Sequence, residues 1–597
     1  MSASERDSVT SKSSHLDGGP GAPPEEDVWE WLQHGITLSD SATAIISLHQ
    51  PATHLSHLTD TAAPNNRPYL TWTYKQLKTA SYVVATHLSQ HGIGQDDVVA
   101  TLVPNGIEFA IFFWASLILG ATFVPMYPPA IQDRDHFKHL LRLTSPTVIV
   151  VDDMAQATNW NLLLSFDEAA KIKLRLVCKP QGPGGSPKST LSALFQSLED
   201  IRPPQLGSVF DTRRRTHGSK PATIMFTSGT TGAPKGCAIS HASFCAQCDG
   251  YRAYAANPEA RWTPSMRFII TSANYKPLFW LATFSTWRSG GTVILPGLDF
   301  DPTDTLRAMA DKDLAPTHAF LVPRLVRILA SHPDLVSGKC VPMNMKFVNV
   351  TGDCVDRGLL ELCQKNLRVQ SVISVFGMTE GAGISNWNRE GEKLTFTSKN
   401  QGELVGVGRA LPGARIKVCS PGLEEPVKRG EMGDLHVSAV NFISTYLENE
   451  DEYNFYVNKD GRKWVITGDK ALVDDNDVLY IMGRTKDMIQ RKDKEIAPAI
   501  LQSVLHRRDS IVDAQVVGVP HKSSGEVPLA VVKLKEDASL PNVNELNKEI
   551  EKQLGQEYRL SDAVDLNRLG REDWPYNDMG KVIKKDIAKA AAEHMNS

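Results

Sequence analysis

A chain of 597 residues exceeds what one hydrophobic core supports, so two or more domains are expected. The hydrophobic share of 41% and charged share of 22% are ordinary for a soluble globular protein, and a net charge of −4 favours no nucleic-acid partner. The eight cysteines are scattered, and the first sixty residues contain no apolar signal-peptide core. We therefore expect a reducing, cytoplasmic setting.

The N-terminal third combines a polar tail with an α/β pattern. Residues 1–25 are rich in Ser, Gly, Pro, Asp and Glu, which predicts a disordered tail. Short β-branched runs between residues 98 and 151 alternate with helical periodicity, which indicates a parallel sheet covered by helices. Residues 109–126 are uncharged and apolar, but Gly120 and Pro125 interrupt them. A buried helix followed by a strand is therefore expected, and no transmembrane segment is predicted.

A loop rich in glycine and hydroxyl groups, residues 227–236, follows the apolar run 222–226, which predicts a buried strand. Glycine lets the backbone approach a ligand closely, and hydroxyls, N–H groups and a lysine can surround phosphate oxygens. The Walker A pattern is absent. The predicted phosphate-binding residues are Thr227, Ser228, Gly229, Thr230, Thr231, Gly232 and Lys235.

Strand-like runs recur at residues 268–271, 292–295 and 347–350, and the composition changes after residues 483–489. The remaining strands and helices predict a small α+β domain of about a hundred residues. We predict an α/β fold in which helix-covered parallel sheets form a large multi-sheet N-terminal domain. The N-terminal domain is expected to span residues 26–484, and a mobile C-terminal domain to span residues 485–597.

Several short segments resemble the motifs of one enzyme superfamily, and this resemblance implies that residues 26–484 form an adenylation domain. Residues 227–236 resemble the phosphate-binding signature of the adenylate-forming superfamily, which includes acyl-CoA synthetases, peptide-synthetase adenylation domains and luciferases. Five further segments resemble that family's motifs in the family's order: residues 350–353, 376–380, 464–469, 483–487 and 575–581. Such motifs are common singly but not in this order and spacing, so the chain is identified as a member of the superfamily.

The resemblance implies a role for each matching residue. The adenine and phosphate contacts would be Gly352, Asp353, Phe376, Gly377 and Thr379, with Phe376 in place of the usual tyrosine. Glu380 would hold Mg²⁺ through a carboxylate oxygen. Asp469 would accept hydrogen bonds from the ribose hydroxyls of ATP, and Arg484 would contact ribose or phosphate. Lys581 would bridge the attacking carboxylate and the α-phosphate, so the catalytic residues would be Lys581, Thr379 and Glu380.

The acceptor of the acyl group is less defined by the motifs. Lys492 is expected to serve the phosphates of coenzyme A, whereas Asp493 stands where the family usually has the glycine that lines the pantetheine tunnel. Coenzyme A is the favoured acceptor, which predicts an acid–thiol ligase of fatty acid or secondary metabolism. The phosphopantetheine of a separate carrier protein, or a luciferase-like monooxygenase reaction, remains as an alternative.

The acid itself is predicted from the pocket segments. Residues 268–287 lack the acidic residue with which amino-acid-activating relatives hold an ammonium group, and they are rich in aromatic and aliphatic side chains. An apolar carboxylic acid of fatty or aryl type is therefore expected. The predicted pocket residues are Tyr275, Lys276, Phe279, Gly381 and Gly383. Lys276 leaves open a second carboxylate on the substrate, although a solvent-facing lysine is the favoured interpretation.

Overall fold

Helices and strands alternate along the chain up to residue 374. The computed structural model describes residues 13–21, 27–59, 67–163, 166–179, 194–203, 213–227, 234–252, 260–387, 389, 391–443, 446–448, 454–577 and 581–596. The helices of these segments are Val28–Leu38, Tyr74–Gln90, Ile107–Leu119, Arg134–Thr144, Met154–Leu163, Phe166–Lys171, His241–Arg252, Pro277–Arg288, Pro302–Ala310, Pro323–Ala330, Pro333–Val336, Arg357–Asn366, Pro498–Leu505, Val543–Leu554 and Lys584–Asn596.

Two seven-stranded sheets carry the N-terminal part. The first has the strand order Gly236–Ser240, Pro221–Phe226, Thr122–Pro125, Val98–Leu102, Val148–Asp153, Leu174–Lys179 and Gln196–Ser197. The second has the order Ser371–Ser374, Phe347–Val350, His318–Leu321, Arg267–Ile269, Thr292–Leu295, Thr43–Pro51 and Tyr69–Thr73. In each sheet the described strand pairs are parallel except for one antiparallel pair at an edge. Because parallel sheets are buried on both faces, helices are expected to pack against the two faces of each sheet.

The apolar stretch at residues 109–126 forms the predicted buried helix and strand. Every residue of the helix Ile107–Leu119 is buried, and Gly120 ends it with a φ of 72° before the strand Thr122–Pro125 begins. The Phe113 ring packs edge-on against the Trp280 ring, with centroids 4.9 Å apart. Among the described helices, none is long and apolar enough to cross a membrane.

The glycine-rich loop connects two strands of one hairpin. Pro221–Phe226 is the predicted strand, and it pairs in antiparallel register with Gly236–Ser240, which was not predicted. The Thr227 N–H donates to the Lys235 carbonyl oxygen at 3.0 Å, and the Lys235 N–H donates to Thr227 Oγ1 at 3.3 Å. The predicted phosphate contacts Ser228, Gly229, Thr230, Thr231 and Gly232 lie outside the described residues.

A third sheet is antiparallel and includes the N-terminal segment. Its order is His15–Asp17, Ala414–Cys419, Gly433–Ala439, Lys463–Val473 and Phe455–Val457, and Leu479–Arg484 also pairs with Lys463–Val473. The expectation that residues 1–25 are disordered is wrong for residues 15–17. Leu16 lies opposite Ile416 and is buried, and Ser14 Oγ donates to the Lys428 carbonyl oxygen at 3.0 Å. A sheet edge supplies backbone partners even to a polar segment.

Two short pairs, Gly377–Met378 with Ala382–Gly383 and Ser385–Asn386 with Arg409–Ala410, lie between the second and third sheets in the sequence. The fourth sheet has the order Lys494–Ile496, Ile489–Arg491, Gly525–Leu534 and Ile511–His521, with Asp562–Asp565 parallel to Gly525–Leu534. The predicted α/β fold with a small α+β part is confirmed. The boundary predicted after residue 484 falls between the last strand of the third sheet and the first of the fourth.

Candidate active site

A cavity of about 360 Å³ lies at the carboxyl-terminal edge of the second sheet. Three neighbouring parallel strands end at residues 321, 350 and 374, and the residues that follow them, Val322, Thr351 and Val375, line the cavity. Open parallel sheets bind ligands at this edge because the loops that follow the strands converge there. The sheet topology therefore brings together segments that are distant in the sequence.

One group of the residues that line the cavity, which we call the Lys581 end, consists of predicted site residues: Gly352, Asp353, Phe376, Gly377, Thr379 and Lys581. Gly352 has a φ of 93°, and a Cβ atom there would lie 3.2 Å from Val322 Cγ1, so a larger residue would be strained. Thr351 Oγ1 donates to the Val375 carbonyl oxygen at 2.8 Å. This hydrogen bond ties together the two turns that the motifs predicted.

Asp469 and Arg484 are cross-strand partners in the third sheet, next to this end. Asp469 Oδ1 lies 3.2 Å from Arg484 Nε, and Arg484 Nη1 donates to the Thr467 carbonyl oxygen at 3.0 Å. Burial raises the pKa of the Asp469 carboxyl, and the Arg484 guanidinium opposes that rise. Asp469 is thus a buried acceptor whose position is set before any hydroxyl donor binds.

Lys581 reaches the cavity from the C-terminal part of the chain. Its N–H donates to Asn577 Oδ1 at 2.9 Å, and the Asn577 N–H donates to the Lys581 carbonyl oxygen at 3.0 Å. The asparagine that replaces the family's threonine therefore closes this turn. Burial and the Arg484 guanidinium lower the pKa of the Lys581 ammonium. The carboxylates of Asp353 and Asp469 act in the opposite direction, so the ammonium lies within electrostatic range of both.

Glu380 follows Thr379 in the turn between the short strands Gly377–Met378 and Ala382–Gly383, and it is buried. Its Oε1 accepts a hydrogen bond from the Tyr446 hydroxyl, and Lys235 Nζ lies 5.0 Å from the centroid of the Tyr446 ring. One tyrosine therefore connects the predicted Mg²⁺ ligand with the lysine of the glycine-rich loop.

Within the described segments, no group of three or more His, Cys, Asp or Glu side chains is arranged to hold a metal ion by itself. A single hard carboxylate such as Glu380 nevertheless suits Mg²⁺. This ion usually keeps several waters and binds through one or two carboxylates together with substrate phosphates. The donor chemistry of this site therefore fits a metal that arrives with a nucleotide.

A second group of lining residues, which we call the Lys276 end, combines apolar and charged side chains: Lys276, Pro277, Asp299, Phe300, Arg324 and Leu325. Lys276 directly precedes the helix Pro277–Arg288 and is half-buried. Lys276 borders the cavity, as its predicted place in the pocket requires. Burial and the neighbouring Arg324 guanidinium lower the pKa of its ammonium, and Asp299 opposes them.

Two aromatic residues predicted for the pocket lie behind its wall. The Tyr275 ring packs against the Tyr127 ring with centroids 5.1 Å apart, and the Phe279 ring packs edge-on against the Phe109 ring at 4.9 Å. Both predicted residues are buried, and neither lines the cavity. Phe279 belongs to the core because its face of the helix Pro277–Arg288 packs against the buried helix Ile107–Leu119, whereas Tyr275 precedes that helix and packs on Tyr127.

The two predicted pocket glycines have different positions. Gly383 lines the cavity. Gly381 does not, and a Cβ atom there would lie 2.5 Å from Phe442 Cδ1. The close packing of the Phe442 ring therefore explains the glycine at position 381, independently of any substrate.

Lys492 is not at the cavity. Together with Asp493 it forms the exposed turn between Ile489–Arg491 and Lys494–Ile496, and its φ of 54° is one that two-residue hairpins require. The Lys492 N–H donates to the Ser524 carbonyl oxygen at 2.8 Å. The structure therefore separates Lys492 from the other predicted nucleotide contacts.

Arg324 connects the Lys276 end to the C-terminal part. Its Nε donates to the Tyr576 hydroxyl at 2.8 Å, and its Nη2 lies 3.8 Å from Asp573 Oδ2. Tyr576 pairs with Val582, the residue after Lys581, in an isolated β-bridge. Sequence reasoning missed Arg324, although its position just after a strand of the second sheet was a usable signal.

A second set of charges joins the two parts of the chain, and we call it the interdomain cluster: Arg327, Asp356, His506 and Asp513. Arg327 Nη2 donates to His506 Nδ1 at 2.9 Å, and Arg327 Nε lies 3.6 Å from Asp513 Oδ1. His506 Nε2 lies 3.0 Å from Asp513 Oδ1, and its Nδ1 lies 3.5 Å from Asp356 Oδ2. Although burial opposes it, His506 and Arg327 hold the pKa of the Asp513 carboxyl below its usual value.

Comparison with known proteins identifies the family. Residues 53–447 match the family model for the AMP-binding enzyme, and residues 501–569 match the model for the AMP-binding enzyme C-terminal domain. The chain belongs to the AMP-binding enzyme family. The predicted superfamily and the predicted enzyme class, an acid–thiol ligase, are confirmed.

Curated relatives of this AMP-binding enzyme match along nearly its whole length. An acyl-CoA ligase of Pestalotiopsis microspora, GME11374, is 28% identical and covers 97% of this chain and 98% of its own. A probable CoA ligase of Humulus lupulus, CCL5, is 25% identical over 88% of this chain and 89% of its own.

A solved structure of the anthranilate CoA ligase AuaEII in complex with anthranoyl-AMP superimposes with a TM-score of 0.76. It is 16% identical and covers 96% of this chain and 99% of its own. ATP-bound MatB from Rhodopseudomonas palustris has a TM-score of 0.72 at 20% identity, and covers 94% of this chain and 99% of its own. At these identities the likeness shows the fold.

Proposed function

We propose that this AMP-binding enzyme activates a carboxylic acid with ATP and then transfers the acyl group to the thiol of coenzyme A. One observation carries the proposal: the side chains of Asp353, Phe376 and Lys581 meet at one end of one cavity, next to the pair of Asp469 and Arg484. The names of the relatives, which are CoA ligases, support the same reaction.

In the first step a carboxylate oxygen of the acid attacks the α-phosphorus of ATP. The bond from that phosphorus to the bridging oxygen of the β-phosphate breaks, and pyrophosphate leaves. The attack brings one anion to another, so the enzyme must supply positive charge and orientation rather than a base. Lys581 and Arg484 would supply charge at this end of the cavity, and Asp469 would hold the ribose. Mg²⁺ bound to Glu380 would neutralise phosphate charge.

In the second step the sulfur of coenzyme A attacks the carbonyl carbon of the acyl-adenylate. The bond from that carbon to the phosphate oxygen breaks, AMP leaves, and the thiol proton passes to solvent. Lys492 lies outside the cavity, so its proposed contact with coenzyme A requires the C-terminal domain to rotate. We place the pivot at the short segment Thr485–Asp487, which joins the third and fourth sheets.

We propose that the acid has a largely apolar body, because Phe300, Phe320 and Leu325 line the cavity. The other parts of the proposal are a cytoplasmic enzyme and domains that meet after residue 484. A carrier-protein phosphopantetheine is the alternative acceptor, and Asp493 is the residue that favours it. A charged residue in the exposed turn beside Lys492 stands where the resemblance implies a glycine.

Acid-dependent exchange of labelled pyrophosphate into ATP tests the first step. We expect exchange with at least one acid of a panel of fatty, aryl and dicarboxylic acids, and no exchange without Mg²⁺. Absence of exchange with every acid would refute the proposal. With an accepted acid, added coenzyme A should yield acyl-CoA. Formation of acyl-AMP alone would favour a carrier protein, and acid-dependent oxygen uptake would favour a monooxygenase.

A further inference from the structure

Among the described residues, Lys276 contacts an aromatic ring but forms no ion pair. Within the described segments, no carboxylate lies within 4.0 Å of its Nζ, which lies 5.5 Å from the centroid of the adjacent Tyr275 ring. Asp299 lies near enough to influence the ammonium but forms no ion pair with it. The Asp299 carboxylate instead accepts a hydrogen bond from the Phe300 N–H at 2.7 Å.

The surroundings of Lys276 disfavour a cation in three ways. The residue is half-buried beside apolar side chains such as Leu278 and Phe300, and burial penalises an ammonium group. The Arg324 guanidinium is a second cation on the same wall of the cavity. Lys276 also occupies the N-cap of the helix Pro277–Arg288, where the helix dipole repels positive charge.

A structural role for Lys276 does not explain why the fold keeps a half-buried ammonium group at this position. An ammonium group has no hydrogen-bond acceptor, so the Lys276 side chain cannot cap the N-terminus of its helix. By contrast, Arg324 is held by Tyr576 and Asp573. Residues that lower stability and have no partner within the fold are concentrated at ligand sites, where the ligand supplies the missing interaction.

We propose that the acid carries a second carboxylate, at the far end of its apolar body, and that this carboxylate binds the Lys276 ammonium. The inference rests on the proposed function, because it assumes that the reacting carboxylate lies at the Lys581 end. The substrate class is then a dicarboxylic acid with an aliphatic or aryl body. Two cations, Lys276 and Arg324, line the cavity together with the single carboxylate of Asp299, and this excess of positive charge favours a dianion over a monoanion.

Matched pairs of acids test the inference by pyrophosphate exchange: hexanoate with adipate, octanoate with suberate, and benzoate with terephthalate. We expect kcat/KM to favour the dicarboxylate in at least one pair. Lys276→Met should lower that dicarboxylate-to-monocarboxylate ratio by about 10- to 100-fold, the effect of losing one charge-assisted hydrogen bond. Lys276→Arg should retain most of the ratio, and Lys312→Met, at an exposed lysine, should leave it unchanged.

A second readout does not depend on catalysis. If Lys276 is retained for the ligand at a cost in stability, Lys276→Met should raise the thermal unfolding midpoint of the enzyme without substrates. Adipate or suberate, whichever is preferred, should stabilise the native enzyme in the presence of ATP more than it stabilises the variant.

The outcomes separate the two proposals. Exchange with no acid at all would refute the proposed function. Exchange with monocarboxylates at a ratio that Lys276→Met does not change would leave the function intact and overturn the inference. An unchanged ratio together with a lower unfolding midpoint would identify Lys276 as a structural residue, which also overturns it.

Discussion

The two ends of the cavity hold their charges in different ways. At the Lys581 end, Asp469 lies 3.2 Å from Arg484, and Glu380 accepts the Tyr446 hydroxyl. At the Lys276 end, Arg324 is held by Tyr576 and Asp573, whereas Lys276 forms no ion pair with any described residue and contacts the ring of Tyr275. We infer that the proposed nucleotide contacts are held in place before binding, whereas the proposed recognition of the acid relies on the Lys276 charge, which a substrate carboxylate would pair.

The largest effect should come from removing the cation of the Lys581 end. Lys581→Ala should lower the rate of acid-dependent pyrophosphate exchange by about 10²- to 10³-fold, as is typical for one electrostatic donor to a transition state. Circular dichroism should be unchanged, because the side chain lines a cavity. Lys589→Ala, at an exposed position of the final helix, is the matched control. An exchange rate equal to that of the control would refute the catalytic role.

Removal of the Asp469 carboxylate, which lies next to the Lys581 end, should weaken the binding of ATP rather than slow the chemical step. Asp469→Ala should raise the KM for ATP by about 10- to 100-fold, since the ribose contacts of a carboxylate exist before the reaction. The kcat should change much less. Asp475→Ala, at an exposed position beyond the same strand, is the control. If kcat fell and the KM for ATP stayed constant, Asp469 would act in the transition state and not in binding.

Disruption of the interdomain cluster should slow pyrophosphate exchange, because we expect this cluster to orient the part of the chain that carries Lys581. Arg327→Met removes a guanidinium that contacts both His506 and Asp513. We expect pyrophosphate exchange to fall by about tenfold, which a shift of about 1.4 kcal/mol in the domain equilibrium would cause. The transfer of the acyl group from supplied acyl-AMP to coenzyme A should fall less.

Arg307→Met removes an exposed arginine and serves as the control. Equal losses in both half-reactions would indicate that Arg327→Met destabilises the fold as a whole, and the orienting role would then be wrong.

The smallest effect should come from the hydroxyl that contacts Glu380. Tyr446→Phe keeps the ring beside Lys235 and removes one hydrogen bond, a loss of about 1 kcal/mol. The Mg²⁺ concentration for half-maximal exchange should rise by about three- to tenfold. Tyr456→Phe, which removes a hydroxyl bound to His436, should leave the Mg²⁺ dependence unchanged. A shift of equal size in that control would exclude a specific link between Tyr446 and the metal.

The sequence by itself determined the family, the α/β architecture and the Lys581 end. Asp353, Phe376 and Lys581 were predicted because turn chemistry and ligand contacts are encoded in short segments with a fixed order. The buried helix Ile107–Leu119 was predicted for a similar reason, since apolar composition and a following glycine are local signals.

The tertiary structure alone determined which way individual side chains point and which segments, distant in the sequence, contact each other. Lys276 and Phe279 are three residues apart, yet one borders the cavity and the other packs on Phe109, because Lys276 is in the extended segment before the helix and Phe279 is on the buried face of the helix. The strand at His15–Asp17 and the pairing of Arg327 with Asp513 likewise depend on partners more than 180 residues away. Composition and local periodicity do not specify such partners, because packing between whole elements selects them.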